Sequence, residues 1–262
     1  MTAPLIALLS DFGTRDWYVA AVKGVLLTRC PAARLIDITH EVPPQDIVAG
    51  AFILAAAAPW LPPRTITVAV VDPGVGTSRA ILACRVGGRY FIGPDNGVLS
   101  LCLREGSPAC VAISPRRLGL RTVSRTFHGR DIMAPAAALL AAGRRLESLG
   151  TPVARTARLP VPPVTRSAHA VTGRIAHIDA YGNLITTLSG VWLARRSGRL
   201  PRLRCRGRIA RVVSSYAEGR AREVVAMIGS LGLIEVAVRD GSAARALRAT
   251  RHDPVSVLWP SR

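Results

Sequence analysis

The chain has 262 residues, a formal net charge of +19, 49% hydrophobic residues and five cysteines. That length suits one large domain or two smaller ones with a substantial core. The cysteines are odd in number, scattered and without a C-x-x-C pair, which argues against a disulfide scaffold or zinc ribbon and fits a reducing cytoplasm. The N-terminus lacks the basic region and small-residue cleavage site of a secretory signal. The longest apolar run, Ala49 to Leu61, is too short to cross a bilayer, which takes about 20 residues, and reads as a buried helix. Lys23 is the only lysine, so the positive charge is almost all arginine, spread over residues 144–262 with few aromatics. A basic balance without a motif is only an electrostatic footprint, and it reads as a solvated surface rather than a nucleic-acid site.

Pro4–Leu9 is an apolar run that predicts the first strand, ended by Ser10-Asp11-Phe12-Gly13. Asp16 is placed to cap a helix over Trp17–Thr28, with Val19, Val22, Leu26 and Leu27 inward. Leu35–Ile38 predicts a strand, Gln45–Ala58 a helix stopped by Pro59 and Pro62-Pro63, and Thr65–Val71 a third strand. This alternation argues for an α/β layer with a largely parallel sheet. Ala80–Val86 and Arg89–Ile92 flank Gly87-Gly88 as a hairpin. Gly93–Gly97 predicts a turn, Val98–Arg104 a short helix, Cys110–Ile113 a strand, and Ile132–Ala142 an alanine-rich helix. These elements define an N-terminal domain over 1–152. A proline-rich linker over 153–169 follows. Short β-type runs at Gly173–Ile178, Leu184–Leu188, Gly207–Val213, Leu233–Val238 and Val255–Leu258 then predict a small all-β domain, barrel or sandwich, over 170–262.

The most informative stretch is Val68-Ala-Val-Val-Asp72-Pro-Gly-Val-Gly76-Thr-Ser-Arg79. An apolar strand stops at a carboxylate, glycines follow, and an arginine starts the next strand. Open α/β sheets bind ligands beyond the carboxyl ends of their strands. Gly74-Val-Gly76 begins like a dinucleotide fingerprint, but Arg79 takes the third glycine position and a strand follows instead of a helix, so that reading is rejected.

Further polar clusters fall after predicted strands: Asp11, Asp37 to His40, Asp95-Asn96 and His128 to Asp131. Each has a plain structural reading. Asp11 suits a cap, Asp95-Asn96 a turn, Asp72 with Arg79 a loop ion pair, and Asp131 a local pair with Arg130 and a helix N-cap. Zinc-binding spacings, a G-x-S-x-G elbow and a P-loop are all missing from the sequence. An Asp, Arg and His together suit the handling of a small nucleophile such as water. A carboxylate or an imidazole can take its proton, and a guanidinium favours hydroxide character.

The motifs Leu8-Leu-Ser-Asp-Phe-Gly13, Ile36-Asp-Ile-Thr-His-Glu-Val-Pro-Pro44, Val70-Val-Asp-Pro-Gly-Val-Gly76 with Arg79, Gly93-Pro-Asp-Asn-Gly97, Thr126-Phe-His-Gly-Arg-Asp131 and Ile178-Asp-Ala-Tyr-Gly-Asn-Leu-Ile-Thr186 run in order over most of the chain. Together they resemble the S-adenosylmethionine hydrolases that form adenosine, the SAM hydroxide adenosyltransferases, which are relatives of fluorinase and chlorinase. The resemblance implies an N-terminal α/β domain, a C-terminal β-barrel, and a homotrimer with active sites between subunits. It also implies that water attacks ribose C5′ of S-adenosyl-L-methionine and expels methionine. By the same resemblance Asp72, Arg79 and His128 match a water-handling triad and Asp11 the acid that holds the ribose hydroxyls. Asp179, Asn183 and Ser230 match the methionine end, and Asn96 the pocket lining. SAM enters as substrate, and no cofactor or metal is expected. Two stretches depart from the family pattern, Gly229-Ser230-Leu-Gly232 and Gly241-Ser242-Ala243-Ala244. Halogenating relatives lack the Asp–Arg–His set, so water is favoured over halide. The competing readings are a SAM sensor with little turnover and a SAM-dependent halogenase.

Overall fold

In the computed structural model, which describes residues 3–104, 106–194 and 201–259, the chain divides into two units, Met1–Leu159 and Pro160–Arg262. The ends of the expected domains, residues 1–2 and 260–262, lie outside the described residues.

The central strands of the first unit are largely apolar because helices cover both faces of their sheet. In chain order it comprises β1 (Leu5–Ser10), α1 (Tyr18–Arg29), β2 (Arg34–Thr39), α2 (Ile47–Ala57), β3 (Ile66–Val70), β4 (Ile81–Val86), β5 (Arg89–Pro94), β6 (Ala109–Ile113), α3 (Ala134–Ala141) and β7 (Gly150–Pro152). The sheet order is β2-β1-β3-β5-β4-β6-β7. Successive residues point to opposite faces. Ile6, Leu8, Val68 and Val70 pack with the helices α1 and α3, whereas Leu9, Ala69 and Val71 pack with Ala49 and Leu54 of α2. The chain therefore leaves β1 and β2 on opposite faces, and the carboxyl ends of β1 and β3 form a point where connections diverge. Ligand sites sit at such points.

The expected largely parallel sheet is parallel over β2-β1-β3-β5 only. β4, β6 and β7 pair antiparallel. Gly87 and Gly88, with φ of 56° and 73°, reverse the chain in two residues, so no crossover helix separates β4 from β5. Three local expectations also change. Asp16 does not cap α1, whose N-cap is Trp17 without a side-chain bond. Leu27 is exposed. Residues 98–104 form consecutive turns instead of a helix, and their side chains serve the strand-like tail of the unit: Ser100 Oγ accepts the Leu159 N–H at 3.3 Å and Arg104 donates to the Leu159 carbonyl at 3.2 Å. Cysteine usage needs a correction as well. Cys84 and Cys110 stand opposite each other on β4 and β6 and are joined as a disulfide. The bridge is a product of strand register, which scattered sequence positions do not reveal.

The second unit contains β8 (Thr165–Arg166), β9 (Ala170–Ile178), β10 (Leu184–Ser189), β11 (Arg202–Cys205), β12 (Arg208–Val212), β13 (Val224–Ile228), β14 (Leu233–Val238), the short α4 (Ala243–Leu247) and β15 (Pro254–Leu258). Strands β9-β10-β14-β13-β12-β11-β15 close on β9 as a seven-stranded barrel, with β8 added at its side. Val171, Ile175, Leu184, Leu188, Leu203, Val236 and Val257 fill it. Along β11, Arg202 and Arg204 face solvent while Leu203 and Cys205 face the core, so the positive charge goes outward. No helix among the described residues is long and apolar enough to cross a membrane.

Candidate active site

β3 ends at Val70, and Asp72 follows on the loop beyond it. The Val75 N–H bonds the Asp72 carbonyl at 3.2 Å, and the Thr77 N–H and hydroxyl both bond the Gly74 carbonyl, at 3.2 and 2.7 Å. These turns bring Arg79 back over Asp72. The guanidinium grips the carboxylate as a fork, with Nε donating to Oδ1 at 2.6 Å and Nη2 to Oδ2. The two side chains are only 6% and 10% exposed for Asp72 and Arg79. Gly76 has φ +83°, and a Cβ there would stand 2.5 Å from the Arg125 carbonyl oxygen. Glycine alone lets this loop close against the segment that leads to His128.

His128 precedes a π-turn over Gly129–Met133 that feeds α3. Pro135 has no N–H to give a regular helical bond, and the Ala134 N–H reaches back five residues to Gly129. Gly129 packs on Val70, where a Cβ would come within 3.1 Å of Cγ1. The π-turn is thereby seated on the end of β3, and Nδ1 of His128 lies 3.0 Å from Arg79 Nη2. A guanidinium only donates, so Nδ1 accepts and the neutral ring carries its proton on Nε2. Burial, then the Arg79 charge, push the His128 pKa below the ordinary histidine value, against weaker pulls from Asp72 and Asp131. Asp131 does form the expected pair with Arg130, at 2.6 and 2.9 Å, and accepts the Ser124 N–H at 2.8 Å. It caps no helix, because the π-turn starts before it.

Asp11 stands at the neighbouring carboxyl end, beyond β1. Its Oδ2 accepts the Gln45 N–H at 2.8 Å, an amide aimed by the left-handed Gln45 backbone at φ 64°. Burial raises its pKa, the backbone amides of Gln45 and Asp11 oppose this, and the charge of Asp72 adds to the rise. Asn96 is bound into the structure at both ends of its amide. Nδ2 donates to the Val71 carbonyl at 2.8 Å and Oδ1 accepts the Val98 N–H at 3.1 Å, so it ties the end of β5 to the residue before Asp72.

The second unit brings Asp179, Asn183 and Ser230 to one cavity of about 660 Å³, shared with Tyr181, Tyr216 and Glu235. Asp179 organises the β9–β10 turn: Oδ1 accepts the N–H groups of Tyr181 and Asn183 at 3.0 and 2.8 Å, and Oδ2 accepts Asn183 Nδ2 at 3.0 Å. Gly182, at φ +84°, leaves no room for a Cβ, which would fall 2.0 Å from Ser242 Oγ. Ser242 caps α4 by accepting the Arg245 N–H at 3.2 Å. Tyr216 and Glu235 are cavity residues that sequence reasoning missed. Glu235 is 8% exposed and accepts the Tyr216 hydroxyl. Burial raises its pKa, Tyr216 opposes, and Asp179 adds to the rise. The available signal was a single acid inside the apolar run Leu233–Val238. Among the described residues no three His, Cys, Asp or Glu side chains converge as a metal site.

Comparison with known proteins places these features. A crystal structure of an uncharacterized conserved protein from Thermotoga maritima superposes with a TM-score of 0.91 at 32% identity, covering 97% of this chain and all of that one. A curated relative from Salinispora tropica, named (R)-S-adenosyl-L-methionine hydrolase, is 40% identical over 97% of each chain. A protein from an Actinoplanes species named fluorinase is more distant, at 29% identity over 71% of this chain and 72% of its own length. Family models match residues 6–150, as the SAM hydroxide adenosyltransferase N-terminal domain, and 173–256, as its C-terminal domain. With both of its units matched in order, the chain belongs to the SAM hydroxide adenosyltransferase family.

Proposed function

We propose that this protein is an enzyme that hydrolyses S-adenosyl-L-methionine to adenosine and L-methionine, by attack of water at ribose C5′. The observation that carries the reading is the part-buried Asp72–Arg79–His128 cluster at a strand-end divergence point, in a chain 40% identical to curated SAM hydrolases. The sulfonium is a ready leaving group, so the protein's main task is to align water opposite the C5′–S bond. Alignment of this kind supplies roughly 7–11 kcal/mol. As the O–C5′ bond forms, the C5′–S pair returns to sulfur and the water proton goes to Asp72. Asp72 is the acceptor because Arg79 engages the one acceptor nitrogen of the His128 ring, whereas each carboxylate oxygen keeps a lone pair beside its Arg79 contact. Arg79 and the His128 Nε2–H donate to the oxygen as it gains hydroxide character. An anionic Asp72 also repels a halide in that position.

In this reading Asp11 accepts two hydrogen bonds from the ribose diol, and Asp179, Asn183 and Ser230 serve the methionine end. Asn96 steadies the Val71–Asp72 backbone. No cofactor takes part, and the protein works as a cytoplasmic homotrimer with active sites between subunits. The family resemblance supports the trimer, which sedimentation tests, and cell fractionation tests the compartment. The decisive experiment is incubation with SAM in ¹⁸O-labelled water without added metal, followed by mass spectrometry. Adenosine labelled at its 5′-hydroxyl, together with methionine, is the expected result. Bound but unchanged SAM would make the protein a sensor, and 5′-halogenated product in a halide series would make it a halogenase.

A further inference from the structure

Ser10, His40, Asp37 and Lys23 form a continuous hydrogen-bonded chain that the reaction above does not use. Ser10 Oγ lies 2.7 Å from His40 Nδ1, His40 Nε2 lies 3.0 Å from Asp37 Oδ1, and Lys23 Nζ donates to Asp37 Oδ2 at 2.7 Å. The direction of the chain follows from its ends. An ionised Asp37 only accepts, so the His40 ring donates to it from Nε2, and Nδ1 faces the Ser10 hydroxyl. Ser10 Oγ keeps lone pairs for the Phe12 N–H, 3.4 Å away. A Ser–His–Asp series is also the arrangement of a nucleophilic triad. Here Ser10 is 2% and His40 7% exposed, so no substrate carbon reaches the hydroxyl.

What the chain does reach is Asp11. Ser10 precedes it and Phe12 follows it. The His40 carbonyl accepts the Gly13 N–H at 2.7 Å, and the Ser10 carbonyl accepts the Val42 N–H at 3.3 Å. The segment starting at His40 also delivers the Gln45 amide to the Asp11 carboxylate. The Asp11 segment is therefore tied on both sides to the stretch from His40 to Gln45.

A second, independent observation is compositional. The chain has 35 lysines and arginines, and Lys23 is the only lysine. Its single ammonium takes one oxygen of Asp37 and leaves the other for His40. A guanidinium is a fork suited to both oxygens of a carboxylate and would compete with His40 for Oδ1. That competition is a physical reason for a lysine here in an otherwise arginine-based chain.

We propose that Lys23, Asp37, His40 and Ser10 are positioning residues that set the orientation of the Asp11 carboxylate, and so decide how strictly the enzyme selects a ribose 2′,3′-diol. The proposal rests on the reading of Asp11 given above. Its test compares kcat/KM for SAM and for its 2′-deoxyribosyl analogue, in the full-length protein and in Asp11→Asn, Ser10→Ala, Lys23→Arg and the double variant Ser10→Ala/Asp11→Asn. Asp11→Asn should abolish the preference for SAM. Ser10→Ala and Lys23→Arg should each lower that preference about tenfold, chiefly through KM for SAM, which is less than the ~10²-fold that a full ångström of misplacement costs. The double variant should lose no more than Asp11→Asn alone, because the two residues act through one contact. Unchanged preference in Ser10→Ala and Lys23→Arg, or additive losses in the double variant, overturns the relay while leaving the role of Asp11 intact. An unchanged preference in Asp11→Asn instead overturns the role of Asp11, and the relay with it. Lys23→Arg keeps the charge at a part-exposed site, so it answers the question even if Ser10→Ala fails to fold.

Discussion

Nη2 of Arg79 stands 3.0 Å from Nδ1 of His128, and because the guanidinium cannot accept, this contact settles which ring nitrogen carries the proton. In the proposed reaction the imidazole is thus a donor toward the reacting oxygen, and Asp72 is left as the proton acceptor. The sequence alone allowed either group in that role.

Protonation of His128 would set an Nδ1–H against the Arg79 guanidinium. Its pKa is already pushed below the ordinary value of 6.5, by burial and then by Arg79. Turnover is therefore expected to be flat with respect to this group through neutral pH, and to fall only on the acid side of 6.5. His128→Gln should reduce kcat about 10²–10³-fold, as for the loss of one preorganised donor, and remove that acid limb. A kcat–pH profile checks both, and a limb at or above 6.5 would contradict the assignment.

Arg79→Ala leaves Asp72 buried without its partner, which costs about 3–5 kcal/mol for a buried pair. Arg79→Lys keeps the charge and loses the fork, so it should restore most of the stability but little of the turnover. Thermal unfolding and single-turnover rates on the two variants separate pairing from catalysis. Equal recovery of both by lysine would show that charge alone suffices.

Gly76→Ala meets two obstacles, the left-handed backbone and the Arg125 carbonyl oxygen, which would lie 2.5 Å from the new Cβ. Gly143 has φ +90° with nothing within 4 Å. Gly143→Ala should cost only the backbone term, about 1–2 kcal/mol. Gly76→Ala should cost more and also slow turnover, because the Asp72–Arg79 loop is pushed off the His128 segment. Urea unfolding with kcat on both variants tests this, and equal losses would show that the loop contact is unimportant.

Glu235 has a folded-state pKa raised above 4.5, with burial the largest cause. The folded protein holds that proton more tightly than the unfolded chain does. Its contribution to stability is complete below 4.5 and is lost as pH rises through the shifted value. Glu235→Gln cannot ionise. The stability of the parent relative to Glu235→Gln should therefore decline with rising pH and then level off. Denaturant unfolding at a series of pH values measures the difference, and a difference independent of pH would show that Glu235 titrates normally.

Much of the architecture is legible because the first unit's central strands are buried on both faces. Leu5–Leu9 and Thr65–Val71 read as strands without any tertiary knowledge, and Gly87-Gly88 marks its own hairpin. The motif loops are legible as loops, since glycine and proline punctuate them. Their convergence is not: Arg79 and His128 are 49 residues apart and meet through the packing of Gly76 on Arg125. Local rules fail where longer-range partners compete. Asp131 takes Arg130 and Ser124 in place of a helix end. β11, Arg-Leu-Arg-Cys, hides its strand character because only two of its side chains face the core. Val224–Ile228 of β13 is plainly apolar, yet a reading paced by turn residues passes over it.

The barrel is sealed by its most distant members. Val255 and Val257 of β15 pair with Gly173 and Val171 of β9, so the first strand of the barrel waits for the last before the ring can close. Such non-local pairing is slow, because the intervening chain must be ordered before it is rewarded. On the ribosome, β9 to β14 emerge as an open sheet with two unsatisfied edges, and closure comes only after residue 258 has cleared the exit tunnel. Premature release anywhere before β15 would leave a sticky, half-made sheet. A stop codon at or before the start of β15 is therefore expected to be far more damaging than a substitution within that strand.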